Sequence, residues 1–577
     1  MTSWRYVLKK LYPIYINKKS PCYSKDHFGN TGCPAKNDIP RFLYLLSQRR
    51  IDEAFYVLKE TNPFSAGCGR FCDHPCETAC NRAKFDEPVD IKALERFVAD
   101  WGYSNNLKPK KKSSDKNKLV SIIGSGPAGL SAAYFLAING FKVVVYEKHN
   151  VPGGLLVEGI PHYRYPRDIF EKELNFIKDS GVEIFVNQNV DKDKFFNIAE
   201  ESDAVIVATG AQSPGEMGIE GEFLDNIYNG IEFLREINFG NHETLNIKPG
   251  ESIGVIGGGY TAFDVARCSV RLNAKASIIY RRTINEMTAH PGEVEESKRE
   301  GVDFHFLRQP IKIEKTSKGL KLICQVMKLG PVDESGRSKP VPVKDNFEEF
   351  IFDKIVVAVG DKPDLFFVGE SFVNEFPRLN CPDLPQESRG KIFICGDASM
   401  GSGEPTGMVV RAVGSAQKTV KAVRKFLGDD IEDEENREIA FYNDINTKYF
   451  EKIGRMIEES ITIEERKGNF DEIVKTADEE VAIYMAKRCF YCGICIQCDW
   501  CYFYSNNSLL KINEEWSREK DKHYYMYIKD NISHHSFKSV EACPRSALSI
   551  VGDENRYDKY ISSQYIDLES IKNGVEK

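Results

Sequence analysis

Two stretches of the chain repeat one alternation of apolar and polar positions. Residues 118–148, KLVSIIGSGPAGLSAAYFLAINGFKVVVYEK, run as an apolar strand, a glycine-rich turn, an apolar helix and a second strand. Residues 251–282, ESIGVIGGGYTAFDVARCSVRLNAKASIIYRR, run the same way. Strand-like text returns in KIFICGDAS at 391–399. The pattern predicts an α/β core of two folds, one inserted into the other, over 119–239 with 359–428 and over 240–358. Upstream, IPRFLYLLSQRRIDEAFYVLKE at 39–60 carries apolar residues at helical spacing, so 1–107 reads as a helical domain. The basic segment KPKKKSSDKNK at 108–118 reads as a solvated linker. Charged text at 429–485 predicts a helical connector, and 486–577 is cysteine-rich, then polar and aromatic.

The glycines of the two repeats carry chemistry. Gly124, Gly126 and Gly129 sit between strand and helix. In a Rossmann-like fold the first allows the tight turn. The second lets backbone approach a pyrophosphate, and the third allows close helix–strand packing. Glu147 ends the next strand, about 20 residues on, where a carboxylate binds ribose hydroxyls. The second repeat has Gly257, Gly259 and Ala262, and its strand ends in Arg281-Arg282 instead of an acid. Guanidinium groups there suit a 2′-phosphate, which favours NADPH over NADH. The bland alternative is that one arginine pairs with an acidic neighbour.

Composition narrows the class. The 577 residues allow three or four domains, and 41 % hydrophobic with 28 % charged residues is ordinary for a globular protein. A net charge of -8 argues against a general nucleic-acid binder. No apolar run reaches membrane-span length, and the first residues lack the apolar core of a signal peptide, so a cytoplasmic location is expected. The sixteen cysteines are clustered. Cys22, Cys33, Cys68, Cys72, Cys76 and Cys80 form one group, and Cys489, Cys492, Cys495, Cys498, Cys501 and Cys543 another. Thiolates at this density suit iron–sulfur clusters, with zinc as the alternative. Cys268, Cys324, Cys381 and Cys395 are scattered and read as core residues.

VIVATG at 205–210 and ICGDA at 394–398, with the glycine motifs, resemble the two-dinucleotide-binding flavoproteins. Thioredoxin reductases share that layout but carry a CxxC in the nicotinamide domain, which 250–360 lacks. With TNPFSAGCGRFCDHPCETAC, residues 20–428 resemble the small subunit of glutamate synthase and its relatives. The resemblance implies two Rossmann-like FAD- and NAD(P)-binding domains behind an α-helical iron–sulfur domain. It implies that Gly154, Thr209, Gly210, Gly396 and Asp397 join the FAD-binding residues. It also implies a [4Fe–4S] cluster on Cys33, Cys72, Cys76 and Glu95, although Glu95 also reads as a solvated helix carboxylate. A further cluster of the family uses a CxxC together with positions matching Cys22 and Cys80. That CxxC is missing upstream of Cys22.

The tail explains more. Ferredoxins with two clusters run CxxCxxCxxxCP twice, and each fourth cysteine ligates the other cluster. Cys495, Cys498, Cys501 and Cys543 supply one complete set. The other set falls on Ser505, Ser533, Ser536 and Ser539. Random decay would rarely empty one set and spare the other, so a ferredoxin-like α+β domain with one cluster retained is expected. A zinc ribbon is the alternative. Cys489 and Cys492, in RCFYCG, look like the missing CxxC and are candidates to join Cys22 and Cys80, within the chain or across a dimer.

The expected activity is NAD(P)H oxidation by an electron-input subunit, with flavin chemistry, two or three [4Fe–4S] clusters and no protein nucleophile. The partner is a redox subunit of a larger complex, the electron-bifurcating kinds included, and a homo-oligomer stays open. Two alternatives stand: the glutamate synthase small subunit proper, and a redox-inert docking or assembly subunit. Dihydropyrimidine reduction would need a further flavin barrel that the chain does not hold.

Overall fold

The computed structural model describes residues 12–14, 18–22, 32–333, 336–369, 371–402, 407–431, 438–496, 498–505, 509–511, 525–528, 534–547, 549–551 and 565–566. The first α/β fold is built on a seven-stranded sheet. Five parallel strands lie in the order Val182–Phe185, Lys142–Tyr146, Leu119–Ile123, Ala204–Val207 and Ile392–Ile394. Arg378–Asn380 and Val373–Glu375 extend the edge antiparallel. The central strands are apolar on both faces because helices cover both. Helix Pro127–Ile138 is buried on nearly every position. It packs between the sheet and helix Val409–Phe426, so its near-continuous apolar text is what a fully enclosed helix needs.

The second fold is a five-stranded parallel sheet, ordered Asp303–Phe306, Lys275–Tyr280, Ser252–Ile256, Lys354–Val357 and Ile227–Asn229. A three-stranded antiparallel sheet, Arg308–Thr316, Gly319–Val332 and Ser338–Phe352, is inserted in the sequence between Asp303–Phe306 and Lys354–Val357. Ile227–Asn229 pairs with Lys354–Val357, so a strand that precedes residue 240 belongs to the second sheet. A three-residue strand has too little apolar pattern to announce itself.

The N-terminal domain is helical. Helix Ser65–Phe71 lies so close to Ile91–Ser104 that a Cβ on Gly69 would sit 2.5 Å from the Arg96 nitrogen. Helix Val409–Phe426 of the first fold meets the Cys33-Pro34 loop in the same manner. A Cβ on Gly414 would lie 2.3 Å from the Pro34 carbonyl oxygen. The first contact fixes the cysteine-bearing helix within the N-terminal domain, and the second fixes the Cys33-Pro34 loop against the first α/β fold.

The connector differs from expectation. Within 438–478 the chain has two 3₁₀ turns and otherwise irregular backbone, and one α-helix, Glu479–Ala486, follows. Its charges pair with other domains rather than along a helix. Arg466 meets Glu300 at 2.9 Å and Arg455 meets Glu77 at 2.8 Å. The two ends of the chain also meet. Strand Tyr12–Ile14 pairs antiparallel with Ser549–Val551, and helix Trp500–Tyr504 packs on His534–Glu541. Among the described residues no helix is long and apolar enough to cross a membrane.

Candidate functional site

A cavity of about 630 Å³ opens where the two α/β folds meet the N-terminal domain. Gly124, Gly126, Glu147, Gly154, Thr209, Gly210 and Asp397 all line it. Gly124 has φ +101°, and a Cβ there would lie 2.5 Å from the Ala208 carbonyl oxygen. Gly126 is different. Its φ is -68°, which any residue adopts, and a Cβ would meet nothing within 4 Å. No protein neighbour requires glycine there, whereas a pyrophosphate at the helix N-terminus would.

Other cradle atoms fit FAD as well. Thr209 Oγ1 and Gln212 Oε1 are buried without a partner, and both residues line the cavity. Glu147 accepts from Ser125 N at 3.1 Å, Ser125 Oγ at 2.6 Å and His149 N at 2.8 Å. A carboxylate has about four acceptor sites, so capacity for a ribose hydroxyl remains. Asp397 accepts from Gly407 N at 2.8 Å, and burial raises its carboxyl pKa. Gly396 neighbours it, with φ +65°.

The second fingerprint makes the same kind of turn. Gly257 has φ +153°, Ala262 is fully buried, and Gly259 caps helix Tyr260–Arg271. The two arginines part company. Arg282 is buried, donates to Asp333 Oδ2 at 2.6 Å and to the Ser338 carbonyl at 2.9 Å. Arg281 is exposed, and its guanidinium has no ion pair among the described residues. One arginine is thus structural and the other is open to a phosphate. Sequence reasoning missed Tyr260, Thr261, Asp264 and Arg164, which also line the flavin cavity. Tyr260 directly follows the last residue of the GGG turn, the one local signal available. Arg164 Nη1 donates to Asp264 Oδ1 at 2.8 Å. This ion pair joins the two folds at the wall of the cavity.

The next site shares a wall with this one. Cys33, Cys72, Cys76 and Glu95 line a small pocket, and Cys72 lines the flavin cavity too. Cys68, not among the expected ligands, lies in the same pocket. Glu95 is buried, and burial pushes its carboxyl up to about 8. Asn37 Nδ2 donates to Glu95 Oε1 at 2.9 Å and Asn62 Nδ2 to the same oxygen at 3.1 Å. The other oxygen receives neither amide. A buried carboxylate without an ion pair among the described residues fits a site made for a metal centre.

Cys22, Cys80, Cys489 and Cys492 line a third pocket. Burial, then the charges of Cys80, Cys489 and Cys492, raise the Cys22 thiol pKa. Cys33 N donates to the Cys22 carbonyl at 2.8 Å, which ties this pocket to the previous one. Farther along, Cys543 Sγ accepts from Ala547 N at 3.3 Å, and burial, with the nearby Cys498 charge, raises its thiol. Cys495 and Cys501 lie on the same stretch, before and within helix Trp500–Tyr504. Ser505 and Ser539, of the serine-replaced set, are buried. Ser533 lies outside the described residues, as does the side chain of Ser536. Cys268, Cys324, Cys381 and Cys395 are buried.

The folds and cavities together define a flavin- and pyridine-nucleotide-dependent oxidoreductase with an N-terminal iron–sulfur domain. Residues 118–424 match the pyridine nucleotide-disulphide oxidoreductase model, and residues 16–107 match the model described as dihydropyrimidine dehydrogenase domain II, 4Fe-4S cluster. The chain belongs to the pyridine nucleotide-disulphide oxidoreductase family, in its glutamate synthase small-subunit-like group. It is 31 % identical over 526 residues to the NADPH-Fe(3+) oxidoreductase subunit beta of Geobacter sulfurreducens, covering 83 % of this chain and 76 % of that one. It is 32 % identical over 512 residues to the NADP(+)-dependent formate dehydrogenase subunit beta of Moorella thermoacetica, covering 80 % and 70 %. To the glutamate synthase [NADPH] small chain of Halomonas elongata it is 32 % identical over 418 residues, covering 68 % and 87 %.

Proposed function

We propose that this chain is the NADPH-oxidising, electron-input subunit of a larger oxidoreductase and passes single electrons to a partner subunit. The observation that carries this reading is the shared wall. Cys72 belongs to the flavin cavity and to the first cysteine pocket at once. FAD, when bound, supplies the exchange between a two-electron hydride donor and one-electron carriers. The chain's own residues bind and orient. The Gly124–Gly129 turn cradles phosphate and Glu147 takes a ribose. Arg281 holds a 2′-phosphate, and the Arg164–Asp264 pair keeps the two folds in register. Cys33, Cys72, Cys76 and Glu95 hold a cluster beside the cavity, and Cys495, Cys498, Cys501 and Cys543 hold one in the tail.

A glutamate synthase small subunit proper is the second reading. The Geobacter and Moorella subunits align over 83 % and 80 % of this chain, against 68 % for the Halomonas small chain. That favours an NADPH-linked subunit serving another acceptor. The test is anaerobic mixing of the purified chain with NADPH. Bleaching of the flavin band, followed by reduced-cluster electron paramagnetic resonance signals, is expected. A colourless protein would instead make it a docking subunit. Flavin bleaching without cluster reduction would break the proposed route.

A further inference from the structure

The iron–sulfur family match ends at residue 107. One cysteine pocket of that domain does not end there. Cys22 and Cys80 form part of its wall, and Cys489 and Cys492, from the far end of the chain, form the rest. Ile39, Leu43, Val89 and Ile91 seal it with apolar surface.

Three features hold the tail residues in place. Arg488 is fully buried, ion-pairs with Asp90 at 2.8 Å and donates to the Pro88 and Glu87 carbonyls at 3.1 and 3.0 Å. Tyr491 adopts φ +51° between the two cysteines, and Gly493 φ +75° just after them, which curls the turn around the pocket. Donors also point at sulfur. Tyr491 N lies 3.3 Å from Cys489 Sγ, and Asn81 Nδ2 lies 3.4 Å from Cys492 Sγ. Hydrogen bonds of this kind tune cluster thiolates. Independently, the Tyr12–Ile14 and Ser549–Val551 strands stitch the same two ends together.

The model that the N-terminal domain matches is described by a 4Fe-4S cluster, and four thiolates are the full ligand set of one such cluster. Zinc would take the same four thiolates, and metal content separates the two.

We propose that Cys22, Cys80, Cys489 and Cys492 ligate one [4Fe–4S] cluster, so that the tail completes, within the same chain, a cluster of the N-terminal domain. The site goes beyond the electron-input reading and can be tested without turnover.

The test is metal and cofactor content of the anaerobically purified full chain. Cys489→Ser/Cys492→Ser should lose about four irons and about four acid-labile sulfides per chain while keeping FAD. Cys22→Ser/Cys80→Ser should lose the same amount. The quadruple variant should lose no more than either pair. Unchanged iron in either pair, additive losses in the quadruple variant, or a parallel fall in zinc would each overturn the proposal. Should a pair also lose FAD, the single Cys492→Ser chain is read instead by electron paramagnetic resonance after dithionite reduction. A shifted signal from one cluster is expected, and a spectrum identical to the parent would sink the assignment.

Discussion

Gly126 shows how a single residue reports a ligand. Its backbone is ordinary and its surroundings are open, so Gly126→Ala should fold with an unchanged melting temperature. It should bind FAD at least about tenfold more weakly, as read by flavin retention on dilution, which is about 1.4 kcal/mol. Arg281 and Arg282 separate in the same way. Arg281→Ala should raise KM for NADPH about tenfold and leave KM for NADH unchanged. Arg282→Ala should instead lower stability by about 1–3 kcal/mol, because Asp333 and the Ser338 carbonyl both lose the buried guanidinium donor. Glu95→Ala should cost the first cluster, visible as lost iron, whereas Cys68→Ala should keep it. Both fingerprints were legible in the sequence because their glycines act within a few residues of one another. The division of labour between the arginines was not, since Asp333 and Ser338 lie more than one strand away.

At the scale of elements, buried ion pairs replace the regular structure that the charged text suggested. Arg488 tethers the end of helix Glu479–Ala486 to the N-terminal domain. Arg488→Met leaves Asp90 with Arg455 as its cation, so unfolding should cost about 1–3 kcal/mol less by chemical denaturation. Glu300 joins the connector to the second fold through Arg267, Arg271 and Arg466. Burial works to raise its carboxyl, but the Arg267 and Arg271 guanidiniums outweigh that and hold it at about 2. A depressed acid stabilises the fold above its unfolded value of about 4.3 and loses that contribution as pH falls toward 2. The stability gap between parent and Glu300→Gln, on the order of 3 kcal/mol at neutral pH, should therefore shrink in melts below about pH 4. The connector was illegible as a non-helical segment because its charges are periodic enough for a helix. Their partners, Glu77, Asp90 and Glu300, are between 166 and 378 residues away.

Across the whole molecule, the sites form a series. The flavin cavity touches the Cys72 pocket, that pocket bonds through Cys33 to the Cys22 pocket, and the tail cysteines follow on the same segment as Cys489 and Cys492. The two α/β folds and the cysteine groups could be read from local patterns. The contact between the two folds could not. Tyr260, Asp264 and Arg164 reach the cavity only because separate domains close on it.

The pairing of Tyr12–Ile14 with Ser549–Val551 sets a clock on synthesis. A chain made from its N-terminus exposes the first strand long before its partner exists. The strand must wait, unpaired, until Val551 has cleared the ribosome. Such a long-range closure is slow to form, and an open strand edge invites wrong partners in the meantime. A ribosome that stalls before residue 549 leaves Tyr12–Ile14 without the strand it pairs with.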